Sequence, residues 1–181
     1  MTNLSFEESV VVEAPAEVVY GYVADFPRHV EWNHQPNEMT ALTDGPTRVG
    51  SQYQTKEGMP SNISFGRKMM FTVMLPMMKV MYGAQDYTVA EITALEPNQR
   101  VAWKAHAPST KKGDLMRMNW ELRLRPEGSG TEVTQACEIA PPDDSPMAGF
   151  VNEDMADQSR GEMTANLNRL KSILENGQAT D

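Results

Sequence analysis

Between Leu115 and Arg125 the chain alternates without a break. Met116, Met118, Trp120, Leu122 and Leu124 fall on one side, and Arg117, Asn119, Glu121, Arg123 and Arg125 on the other. Successive side chains of a strand point to opposite faces, so this segment reads as a strand in a sheet with one dry face and one wet face. Whatever else the chain does, it must cover that dry face.

The same period marks Leu4 to Val12, where Leu4, Phe6, Val10 and Val12 alternate with polar neighbours and only Glu8 breaks the apolar set. Pro15, suited to a first helical turn, and then Val18, Val19, Tyr22 and Val23 predict a short helix ending near Asp25. Phe26 to Trp32 reads as a second short helix, and Asn33 to Asn37 as a turn. Further strands are expected at Glu38 to Thr43, Val49 to Lys56, Tyr87 to Ala94, Arg100 to His106 and Thr131 to Ile139, separated by turn-rich pieces such as Asp44-Gly45-Pro46 and Gly128-Ser129-Gly130. After Pro146 the period lengthens: Met147, Val151, Met155, Met163, Leu167, Leu170 and Leu174 form one stripe of a helix of about 28 residues. At 1.5 Å per residue it is roughly 40 Å long, enough to cross a whole sheet. This α+β order needs no parallel crossover, so the sheet is expected to be antiparallel, curved, and built of about seven strands.

One domain suits 181 residues, with residues 178–181 as a frayed tail. The 16 Lys and Arg against 25 Asp and Glu give a net charge of -9, which disfavours nucleic acid and anionic membrane surfaces as partners. Cys137 is the single cysteine, so neither an internal disulfide nor a thiolate metal cluster is available, and a reducing cytoplasm is the expected setting. Met1 to Val12 carries no basic n-region or apolar h-region, and no run approaches the roughly 18 apolar residues of a membrane span. Secretion and membrane insertion are not expected.

Several pieces, taken in order, resemble the START-like (SRPBCC) superfamily, which includes polyketide cyclase/dehydrase-like, ubiquinone-binding-like and birch-pollen-allergen-like proteins. They are Ser9 to Val19, Asp25-Phe26, Glu31-Trp32-Asn33, Val49-Gly50, Tyr87-Thr88-Val89 leading to Leu95 to Trp103, and Gly130 to Thr134. The resemblance runs from about Leu4 to Leu174. It implies a helix-grip fold, in which a curved antiparallel sheet wraps a long C-terminal helix around a cavity. It implies no particular reaction. About residues 57–82 form an insertion relative to that pattern, holding Met59, Met69, Met70, Met74, Met77, Met78 and Met81, half of the 14 methionines. Methionine adapts to irregular partners, so a lid or cavity wall is one reading, and core packing, a homodimer contact or membrane-surface contact are others.

Candidate cavity residues follow from the faces already assigned. Tyr53, Tyr87, Trp103 and Trp120 offer large apolar area with a polar tip, beside Met116 and Met118. Gln135 shares the face of Val133 and Cys137 and can serve as an uncharged hydrogen-bonding group. On the last helix Met155, Ser159, Arg160 and Met163 fall on the same side; Arg160 could anchor a ligand oxygen, or instead snorkel to solvent or pair with an acid such as Glu8. His29, His34 and His106 stand in no catalytic or zinc-like spacing, so no catalytic residue, metal or cofactor is assigned. Cys137, on an apolar strand face, reads as an inert buried thiol. The pattern fits a carrier or sensor of a hydrophobic small molecule such as a lipid, quinone or polyketide. The alternatives are a polyketide cyclase/dehydratase-type enzyme using the same cavity, and a stress-response interaction module.

Overall fold

A computed structural model describes residues 3–33, 36–57, 72 and 76–178. Strand β1 (Leu4–Val12) leads to helix α1 (Ala16–Val23), a 3-10 turn (Phe26–Arg28) and the single-turn helix α2 (His29–Trp32). Strands β2 (Pro36–Ala41) and β3 (Gln52–Glu57) form a hairpin. Helix α3 is helical at residue 72 and over 76–82. Strands β4 (Thr88–Glu96), β5 (Arg100–Ser109), β6 (Gly113–Glu127) and β7 (Gly130–Ile139) then precede the long helix α4 (Glu153–Gln178).

The seven strands make one curved antiparallel sheet in the order β1-β7-β6-β5-β4-β3-β2. Chain neighbours pair throughout, except that β1 closes onto β7, with Phe6 opposite Cys137 and Glu8 opposite Gln135. The alternation expected of Leu115 to Arg125 holds: Leu122 and Leu124 are buried, while Arg117, Arg123 and Arg125 are exposed on the convex face. Leu115 departs from it and is buried, because the β5–β6 register shifts between Ala107 and Pro108 and leaves one residue of β6 unpaired.

Two expected boundaries move. The last helix starts at Glu153 rather than Met147, since Ala148–Phe150 is a separate 3-10 turn and Val151 is extended. Asn152 supplies the stop and start: its Oδ1 accepts the Met155 N–H at 3.0 Å, and Glu153 and Asp154 occupy the first turn, where acids favour the helix dipole. The strand expected from Val49 begins at Gln52 instead, because Gly50 turns the chain at φ +86°. Most of the methionine-rich insertion, with Met59, Met69, Met70 and Met74, lies outside the described residues. Its C-terminal end is described: in α3, Met78 is buried while Met77, Val80 and Met81 are exposed. Lys111 of the β5–β6 turn caps α3 by donating to the Val80 carbonyl at 2.7 Å.

Helix α4 packs chiefly along β1 and against α2. Its side chains also meet those of the middle strands. Those side chains form two apolar clusters. One joins α1, α2 and the C-terminal half of α4 around Leu122, Val133, Leu167 and Leu170. The other gathers Leu4, Phe6, Met116, Cys137, Ile139 and Met163 at the opposite end.

Candidate functional site

The concave face between the two clusters carries part of the candidate set. Across the sheet, one inward row runs Phe6, Cys137, Trp120, Trp103, Ile92. The next runs Leu4, Ile139, Met118, Ala105, Ala90, Tyr53. Trp103 and Trp120 stack with centroids 6.1 Å apart and planes 8° from parallel. Trp103 is 6% exposed and wedged against Phe26 and His29, whereas Trp120 and Met118 remain only half-buried on the inner face of a central strand. Inner positions of a central strand are normally covered completely; here both keep part of their surface free.

The other candidates divide. Tyr53, Met116 and Met163 are buried as packing residues, with the Tyr53 hydroxyl 2.7 Å from the Thr47 hydroxyl. Met155 and Ser159 are half-buried on α4. Tyr87 precedes β4, and the alternation of that strand groups it with Val89 and Glu91, away from Ala90 and Ile92. Arg160 turns aside: its Nη1 donates to Asp157 Oδ1 at 2.7 Å, one turn back on the same helix. Gln135 is 1% exposed, and its Oε1 has no hydrogen-bond partner.

Several interior polar groups fall outside the candidate set. His29 is fully buried, and its Nε2 donates to the Val23 carbonyl at 2.8 Å, which fixes the neutral tautomer and satisfies an otherwise orphan carbonyl at the end of α1. Burial among Phe26, Trp32 and Trp103 lowers its pKa to about 4. Trp32 is fully buried with its Nε1 unpartnered. On α4, Gln158 Nε2 donates to Glu162 Oε1 at 2.8 Å, leaving Gln158 Oε1 buried and unpartnered, while Asn166 bonds Asn33 at 2.9 Å. The spacing of Gln158, Glu162 and Asn166, four residues apart each time, was the available signal: a polar stripe beside the apolar one. Burial drives the Cys137 thiol strongly upward in pKa, so it is no nucleophile.

Two open concavities, of about 690 and 560 Å3, are lined mainly by residues of the opposite, convex face, the first also by Phe6, Trp103, Trp120 and Cys137. Small side chains at Ala102 and Ala136 lower the floor between Glu7, Glu121 and Arg100. They are shallow, polar-rimmed and crossed by the Arg100–Glu121 and Arg123–Glu7 ion pairs, so they offer no shelter to an apolar molecule. Among the described residues, no group of His, Cys, Asp and Glu is arranged to hold a metal, and no helix is long and apolar enough to cross a membrane.

A family model described as polyketide cyclase / dehydrase and lipid transport matches residues 3–175. The chain belongs to that family. Solved structures share its helix-grip fold at low identity. The Mll3558 protein of Rhizobium loti aligns at 15% identity and TM-score 0.58, over 93% of this chain and 97% of that one. Ara h 8.0201 aligns at 11% and 0.57, over 94% and 99%. DynU16, a putative protein in the dynemicin biosynthetic locus, aligns at 16% and 0.56 over 96% of this chain, which spans 48% of that one. No curated protein matches in sequence. The family's description spans both cyclisation chemistry and lipid transport, so the choice between them rests on the interior itself.

Proposed function

We propose that the chain is a carrier or sensor that takes up a hydrophobic small molecule between the concave sheet and α4. The observation that carries this reading is the half-buried pair Met118 and Trp120 on the inner face of a central strand. Apolar surface left uncovered inside a fold is stabilised by an apolar occupant, and stacked indoles favour a flat or aromatic one. A cyclase needs at least two titratable groups converging on the substrate. Here the histidine nearest the interior is committed to Val23, and Arg160 to Asp157. The carrier reading is therefore preferred over the enzyme.

The test uses the neutral dye N-phenyl-1-naphthylamine. One equivalent should brighten on binding and quench emission from Trp103 and Trp120. Trp120→Ala should weaken uptake, yet cost less than the ~3–5 kcal/mol typical of a fully packed tryptophan, because part of the ring already faces open space. A dye that stays dark, together with a full-size stability loss for Trp120→Ala, would mean that the interior is solid core.

A further inference from the structure

Where the two apolar clusters meet, the sheet is not apolar. On β7, Gln135 stands between Val133 of one cluster and Cys137 of the other. On β1, Glu8 stands between Val10, packed on the first cluster, and Phe6 of the second. Register makes Glu8 and Gln135 direct cross-strand neighbours, and Gln135 lies beside Leu122 on its other side. A polar seam thus crosses the floor of the groove, and Met118 and Trp120 are the side chains that touch both clusters along it.

The seam is built from acceptors. Gln135 Oε1 is buried and unpartnered. Glu8 is half-buried, and among the described residues no cation pairs with it. On α4, Gln158 donates one of its two amide hydrogens to Glu162, and its carbonyl oxygen is a further buried acceptor without a partner. The cations of this half of the molecule are engaged elsewhere: Arg160 with Asp157, Lys171 with the Val11 carbonyl, and Arg117 and Arg123 on the convex face. Among the described residues the buried donor without a partner is Trp32 Nε1, which is uncharged. A buried acceptor without a donor is costly, and a carboxylate brought beside Glu8 with no counter-charge would be more so.

Resting on the carrier reading above, we infer that the ligand is an uncharged apolar molecule bearing a hydroxyl, which donates to Gln135 Oε1 on the seam, and that carboxylate ligands are excluded. Gln135 is the specificity-determining residue. Its amide is kept in the interior against the stability of the empty protein, so replacing it by leucine should leave the fold as stable or more so.

The experiment compares three probes of one shape by calorimetry at neutral pH: 2-naphthol, 2-methoxynaphthalene and 2-naphthoate. Wild-type protein should bind 2-naphthol at least about tenfold more tightly than either other probe, the scale of one well-made buried hydrogen bond. Gln135→Leu should melt no lower than wild type and lose the preference for 2-naphthol. The inference is overturned if 2-naphthoate binds as well as 2-naphthol, or if Gln135→Leu keeps the preference; uptake of the ether alone would then still uphold the carrier. If none of the three binds, the carrier reading fails and this inference with it.

Discussion

His29 shows how one side chain can tie an acid response to the fold. Its ring is held neutral by burial, with a pKa near 4 against an ordinary 6.5. Between those values the unfolded chain binds a proton that the folded chain refuses. Stability is therefore complete above about pH 6.5 and falls as pH drops toward 4, by up to roughly 3 kcal/mol over the whole window. Urea midpoints at several pH values should show this loss in wild type. His29→Leu, which gives up the bond to Val23, should be less stable at pH 7 but show a shallower decline. Equal slopes in the two proteins would mean that other groups dominate acid unfolding. The same scale explains what was legible at the site. Glu8 and Gln135 were visible in the sequence as polar breaks in apolar alternations, because a strand's period assigns each residue a face. That Gln135 lacks a partner was not legible, since it depends on what lies across the groove.

Among the elements, strands read more clearly than helix ends. From Met116 onward the β6 alternation survives because one face meets the interior and the other meets solvent; Leu115, next to Met116, is the extra residue where the β5–β6 register shifts. The start of α4 was misplaced because Met147 and Val151 continue the apolar stripe, while the decisive signal was the Asn152 cap with two acids after it. A tighter constraint binds the two edges of the sheet closure. Gly130 opens β7 so close to β1 that a Cβ there would sit 2.3 Å from the Val12 carbonyl oxygen, next to the 2.7 Å bond from the Thr131 hydroxyl to Ala14. Gly130→Ala should push the strands apart and cost roughly 1–3 kcal/mol by denaturant titration. An unchanged midpoint would mean that the loop relaxes freely.

For the molecule as a whole, charge decides what it avoids. With -9 net and its convex-face arginines already paired to Glu7, Glu96, Glu121 and Glu132, the protein shows no free basic patch among the described residues from which to release counterions. Anisotropy titrations with labelled duplex DNA should show no salt-sensitive binding in the micromolar range, and a steep salt dependence would contradict this. The order of strands carries a different consequence. β1 and β2 are the two borders of the sheet, and α4 guards the first: Lys171 occupies the Val11 carbonyl, and Glu175 accepts the Glu13 N–H at 2.9 Å. β2 is protected more lightly, by a proline at its head and the charge of Glu38. Among the described residues β2 is therefore the border each copy leaves open to a neighbour. Strand-to-strand growth would use up both such borders at the first encounter, so it would end in a symmetric pair and could not extend into a fibre.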